Sequence, residues 1–117
     1  MSSRLGLPQV VKRRIVVEQA TEEDLVETAM YILQDQPAAG MRFIPAARAS
    51  FERLAEHPDI GRTYETTHPR LQGIRIWHMR GFEKHLIFYR ADEQTVFVEC
   101  VLYGGRDIER LLDGDNE

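Results

Sequence analysis

Four histidines (His57, His68, His78 and His85) and the bases between Arg70 and Arg90 are the side chains of this 117-residue chain best suited to chemistry. An unperturbed imidazole titrates near pH 6.5, so it both takes and gives a proton near neutrality. His85 stands among Arg75, Arg80 and Lys84, and these four side chains together could hold a phosphate and move a proton. The plainer alternative for His85 is a sheet-surface histidine. The histidines lack metal-ligand spacing, and the single Cys100 excludes a cysteine-cluster zinc site, so no metal and no other cofactor is expected. The chain has no GxxxxGK[ST] loop, no HExxH and no GxSxG.

Charge signs are unevenly spread. Lys plus Arg total 15 and Asp plus Glu total 19, a net charge of −4 that argues against a generic polyanion binder. Glu18 to Asp35 contains six acids and no base, whereas Arg70 to Arg90 contains five bases and one acid, Glu83. The basic segment either covers a sheet face with long Arg side chains or contacts an anion or a partner. The acids of Glu18 to Asp35 read most simply as a solvated helix face.

The elements that must position these groups follow from periodicity. Arg14 to Glu18 is a short β-branched run, a first strand. Thr21 can cap a helix whose first turn carries Glu22, Glu23 and Asp24, and Val26, Ala29, Met30 and Leu33 form its apolar stripe. Pro37 opens a second helix running to about Glu56, with Phe43, Ala47, Phe51, Leu54 and Ala55 on one face and Pro45 as an internal defect. Arg62 to Gln72 reads as a loop. Ile74, Ile76 and His78 then alternate with Arg75, Trp77 and Met79, and Gly81 breaks that strand. His85 to Arg90 sets His85, Ile87 and Tyr89 opposite Leu86 and Phe88. Asp92 to Gln94 is a turn. Thr95 to Tyr103 is apolar on both faces, as a central strand would be, and Asp107 to Leu112 reads as a final helical turn.

The order predicts an α+β domain (β-α-α-β-β-β), an N-terminal strand and a two-helix hairpin packed on a small, mostly antiparallel sheet. Phe51, Leu54, Ile76, Leu86, Phe88, Val98 and Leu102 are its expected core. The organisation expected is a flexible lead-in over 1–13, one domain over 14–112 and an acidic tail over 113–117. No apolar run approaches the ~18 residues of a membrane span, and no signal-peptide core follows Lys12, Arg13 and Arg14, so a cytoplasmic location is expected. So small a sheet cannot cover both helical stripes if Met30, Tyr31, Ile32 and Met41 are exposed, and exposed apolar patches mark interaction sites.

Three stretches together resemble the RelE/ParE superfamily of bacterial toxins, most closely its ParE branch. They are Phe51 to Arg62 with its HPxIGR turn, His85 to Arg90, and Val98 to Asp107 with its hGxRD ending. Gly61, Arg62, Tyr89, Gly105, Arg106 and Asp107 match best, and the likeness runs from about Arg14 to Leu112. The resemblance implies the RelE/ParE fold and the toxin half of a type II toxin–antitoxin pair. It implies a cognate ParD-like antitoxin as partner and DNA gyrase as target, with no membrane association and no direct sequence-specific DNA binding. Met30, Tyr31, Met41, Arg80, Tyr103 and Arg106 are the candidate partner-binding residues. A ribosome-dependent mRNA endonuclease of the RelE type is the alternative, with Arg75, Arg80, Lys84 and His85 as its machinery. A toxin fold kept only as a binding module is a third.

Overall fold

The computed structural model describes residues 12–104. Five strands and two long helices appear in the order β1 (Arg14–Val17), α1 (Gln19–Asp35), α2 (Pro37–Glu56), β2 (Arg62–Thr63), a 3-10 turn (Pro69–Leu71), β3 (Arg75–Met79), β4 (Phe82–Ala91) and β5 (Thr95–Tyr103). The sheet order is β1-β5-β4-β3-β2. All neighbours are antiparallel except β1, which runs parallel to β5 with Arg14 opposite Thr95 and Val17 opposite Val98. The expected helical hairpin on a mostly antiparallel sheet is therefore present, now as a mixed sheet. The stretch read as a loop contributes β2, whose two residues are too few to show a period and which exists only by pairing with Ile76 and Arg75. The lead-in up to residue 11, the helical turn at Asp107 to Leu112 and the tail over 113–117 lie outside the described residues.

The α1–α2 connection is a single residue, Gln36, because Pro37 starts the second helix at its first position. The tight reversal brings Gly40 against the backbone of Leu33, where a Cβ would sit 2.7 Å from the Leu33 nitrogen. Pro45 lies on the exposed side of α2, and the helix continues through it. On the inward side Phe43, Ala47, Phe51, Leu54 and Ala55 are all buried, as their spacing predicts.

Helix α1 corrects the sequence analysis in two ways. It begins three residues earlier, at Gln19, so Thr21 is not its cap. Thr21 is buried within the first turn, and its hydroxyl donates to the Glu99 carbonyl of β5 at 3.1 Å, a tertiary bond that a local capping argument does not foresee. With that start only Glu22 remains among the acids of the first turn. The inward face is Thr21, Leu25 and Ala29, joined by Ile32. Val26, Met30 and Leu33 repeat the same spacing one residue later, about 100° round the helix, and are exposed.

The sheet buries side chains on both faces. Against the helices pack Met79, Ile87, Tyr89, Val96 and Val98, with Trp77 and Val101 partly buried. On the other face Ile74, Ile76 and Phe88 form a second cluster with Leu71, under the loop that follows β2. Arg90 fastens that loop by donating to the carbonyls of Gln72 and Arg70 while its Nε pairs with Glu99 at 3.2 Å. Of the expected core, Phe51, Leu54, Ile76, Phe88 and Val98 are buried, but Leu86 and Leu102 are only half-buried. They sit at the edge of the second cluster, beside Cys100.

Strand β5 serves both faces through a bulge. Tyr89 pairs with Val98 and Phe88 with Cys100, so Glu99 is the extra residue. Before it the even-numbered Val96 and Val98 face the helices. After it the odd-numbered Val101 does, and Cys100 and Leu102 point to the other face. The apolar residues of Thr95 to Tyr103 fall on both faces for this reason.

Tyr89 closes the fold at the other end of α2. Its buried hydroxyl donates to the Pro58 carbonyl at 2.7 Å and accepts from the Gly61 N–H at 2.9 Å. A Cβ on Gly61 would lie 2.6 Å from that hydroxyl and 2.8 Å from the Ile76 carbonyl, so no side chain fits. Burial raises the Tyr89 pKa, an effect opposed by its hydrogen bond to Gly61. Tyr89→Phe strands a buried N–H and a carbonyl, which typically costs about 1–3 kcal/mol. Thermal melts should show a fall of several degrees with the fold retained, and Gly61→Ala should fall at least as far.

Candidate functional site

A groove of about 610 Å3 lies between α1, the start of α2 and the ends of β4 and β5. Apolar side chains (Leu25, Ile32, Phe43, Phe82, Val101) make its floor, and Asp24, Thr28, Tyr31, Gln36, His85 and Tyr103 supply polar groups. It exists because β1 is short. That strand pairs only with Thr95 to Val98, so among the described residues the outer edge of β5 from Cys100 to Tyr103 has no neighbouring strand. An uncovered strand edge is a template for another chain.

His85 faces into this groove rather than onto an open sheet surface. Its ring stands edge-on to Phe43 and Tyr103, with centroids 5.0 and 5.1 Å away, and Phe82 closes the third side at 6.2 Å. The Nδ1 atom is buried with no partner at hydrogen-bonding geometry among the described residues. Burial holds its pKa below the ordinary value, offset only in part by the nearby Phe82 backbone. The groove therefore keeps a neutral imidazole at neutral pH, a ring packed as an aromatic.

The four groups that could have formed a nuclease centre are not brought together. Arg75 lies opposite Tyr89, while His85 lies four residues further along β4, about 13 Å away at the rise of a strand. The Arg75 guanidinium donates to the Gly61 carbonyl at 2.7 Å and approaches the Asp59 carboxylate at 3.7 Å, so it braces the α2–β2 loop. Lys84 precedes His85 on the strand and points to the opposite face. Arg80 sits in the turn after β3, where its N–H donates to Ser50 at 3.2 Å. The other histidines have local positions. His57 caps α2, His68 accepts from the Arg70 N–H at the 3-10 turn, and His78 Nδ1 meets the Glu83 carbonyl at 2.8 Å. Among the described residues no three His, Cys, Asp or Glu side chains are grouped as a metal would need. The Cys100 thiol, half-buried at the edge of the second cluster, is pushed up to about 12 by desolvation and stays protonated.

Of the expected partner residues, Met30, Tyr31, Met41 and Tyr103 are 60%, 75%, 73% and 51% exposed. Tyr31 and Tyr103 line the large groove, Met30 lies on the outward stripe of α1, and Arg80 borders a different cleft. Arg106 is outside the described residues. Met30 was foreseen as surface, but Val26 and Leu33, which continue the same outward stripe, were not, because the spacing is that of a buried face. The acids around it were the signal. Glu22, Glu23 and Glu27 surround Val26 in a shallow depression.

No helix among the described residues is long and apolar enough to cross a membrane. The family model described as "ParE toxin of type II toxin-antitoxin system, parDE" matches residues 15–108. A solved structure titled "Chromosomal ParDE TA system from P. aeruginosa" has a similar fold, with TM-score 0.55 and 10% sequence identity, over 77% of this chain and 94% of that one. No curated protein sequence matches the chain.

The buried imidazole gives a pH prediction. As pH falls, the unfolded chain takes up its His85 proton first, because the folded pKa is the lower of the two. The folded state is therefore unhandicapped above about pH 6.5 and loses stability as pH falls below it. His85→Phe keeps the ring packing and removes the proton. In urea titrations it should lose less stability than the parent between about pH 7 and about pH 5.

Proposed function

The chain belongs to the ParE toxin family of type II toxin–antitoxin systems, and on that premise we propose that it inhibits DNA gyrase and is neutralised by a cognate antitoxin. The observation that carries the gyrase reading over RNA cleavage is the scatter of the candidate nuclease groups. A nuclease of this kind needs a base, an acid and cations converging on one phosphate. Here Arg75 is committed to the α2–β2 loop, Lys84 and His85 point to opposite faces, and His85 is neutral and caged by rings.

The antitoxin reading is supported by the groove on one flank of α1 and by the apolar stripe on the other. A partner helix with apolar residues at i, i+4 and i+7 fits Val26, Met30 and Leu33, and a large side chain fits between Tyr31 and Tyr103. The acids flanking that surface favour Lys or Arg on the rims of the partner helix. The open edge of β5 can accept an extended segment that follows it.

The activity test is a gyrase supercoiling assay run beside ribosome-dependent mRNA cleavage. Supercoiling should be blocked and mRNA left intact, and His85→Ala should still arrest growth. Cleavage by the parent that His85→Ala abolishes, with the variant folded, would establish the RelE-type reading instead. For the antitoxin, Tyr31→Ala and Met30→Glu should each raise the Kd for the adjacent-gene product roughly tenfold or more, as truncation of a well-packed interface anchor does. Arg62→Ala, on the far edge of the sheet, should leave it unchanged.

A further inference from the structure

The seam between α2 and the β3–β4 hairpin holds a second cleft of about 320 Å3, lined by Ala49, Ser50, Arg53, Trp77, Arg80 and Glu83 among others. Its geometry is fixed by Ser50. That side chain is buried, and its Oγ accepts the Arg80 N–H at 3.2 Å, which ties the hairpin turn to the helix. Arg53 follows one turn later on the same side of α2, so two guanidinium groups flank one opening. Both are exposed, and neither has a carboxylate within ion-pairing distance among the described residues. Arg48, Arg75 and Arg90, by contrast, each hold an acid. The one acid in the lining, Glu83, is turned onto its own hairpin, where it accepts the Gly81 N–H at 3.0 Å. His78 also borders the cleft. Its Nδ1 carries a proton, because the Glu83 carbonyl it meets can only accept.

We propose that this cleft binds a phosphate group carried by a sugar, as in a nucleotide or a nucleic acid strand. A carboxylate has two oxygens and is satisfied by one guanidinium fork, whereas a phosphate offers oxygens to two forks at once. The volume is at the low end for small-ligand pockets, enough for a phosphate and its sugar. The half-buried Trp77 indole supplies an apolar wall against which the sugar or base can lie. Binding is to the backbone group and not to a base sequence, since both guanidinium groups are assigned to the phosphate. The inference does not rest on the gyrase reading and survives its failure.

Trp77 is the chain's only tryptophan, so its fluorescence reports on the cleft directly. The full chain is titrated with ribose 5-phosphate and, separately, with a short oligodeoxythymidine, exciting at the red edge of the indole band. At least one probe should change the emission saturably. A response to both assigns the site to the sugar phosphate itself, and a response to the oligonucleotide alone assigns it to a strand. Arg53→Ala and Arg80→Ala should each weaken binding roughly tenfold or more, as loss of a charge-assisted contact does. With the oligonucleotide each should also flatten the log Kd against log salt slope by about 0.7. Both side chains are exposed, and circular dichroism checks that the variants fold. Arg42→Ala, on α2 but outside the cleft, should change nothing. No saturable response to either probe would overturn the proposal. So would an equal response to citrate, or an Arg42→Ala variant weakened as much as the other two.

Discussion

The Tyr89 hydroxyl has no access to water, so both of its hydrogen bonds must come from the chain, and both come from the loop that leaves α2. That constraint sets where the sheet can begin. With Pro58 and Gly61 held on Tyr89, Arg62 and Thr63 arrive beside β3, and the Gly61 carbonyl is left for Arg75. One tyrosine in the middle of β4 thereby fixes the helix layer, the edge strand and the direction of an arginine. The tolerance is small. Gly61 is required because its Cα sits against a hydroxyl and a carbonyl at once, where any Cβ would collide. The turn motif and the tyrosine in β4, separated by 28 residues, are two halves of one contact.

A second constraint lies in β5. A regular strand would send alternate residues to the same face throughout, and β5 has to supply both the helix-side core and the loop-side cluster. The bulge at Glu99 changes the phase, and it is anchored from both directions. The Glu99 carbonyl accepts from Thr21 on α1, and its carboxylate pairs with Arg90, which in turn holds the loop carbonyls. Helix, strand and loop thus meet at the one residue that leaves the regular ladder. A sheet of this kind avoids the choice between one buried face and two.

Much of this was legible in the sequence, for physical reasons that also mark the limit. Helix α2 was read correctly because Phe43, Ala47, Phe51 and Leu54 have only one apolar face to offer. The facing of β3 and β4 was read from strict alternation, down to His85, Ile87 and Tyr89 on one side. Helix α1 misled because it carries two apolar rows. Leu25, Ala29 and Ile32 and the row Val26, Met30 and Leu33 have identical spacing, and periodicity alone cannot say which is buried. Ile76 and Phe88 of the second cluster were legible as core, but its cover was hidden because a two-residue strand and a 3-10 turn have no period to detect. For the candidate site, sequence proximity placed His85 beside Lys84, but adjacent strand residues point to opposite faces, and the rings around His85 come from three separate elements. The placing of Arg53 and Arg80 at one cleft was equally invisible, since 27 positions separate them and tertiary contacts, the Ser50 bond and the Phe43–Phe82 packing among them, bring the hairpin to the helix.

The outward row of α1 is a kept feature and not a packing remainder. Turning the helix by one residue would bury Val26, Met30 and Leu33 and gain comparable apolar area. It would also expel Leu25 and Ala29, and it would carry the Thr21 hydroxyl away from Glu99, leaving the bulge carbonyl without a donor. A lost buried hydrogen bond costs about 1–3 kcal/mol, whereas exchanging one aliphatic row for another gains almost nothing, so the register is decided by Thr21. Once that register is set, the acids of α1 have to lie around the exposed row, because the inward face has no room for charge. The same polar bond that ties α1 to the sheet therefore leaves an apolar stripe with an acidic border facing outward. The uncovered edge of β5 lies on the other flank of α1, where Asp24, Thr28 and Tyr31 line the groove.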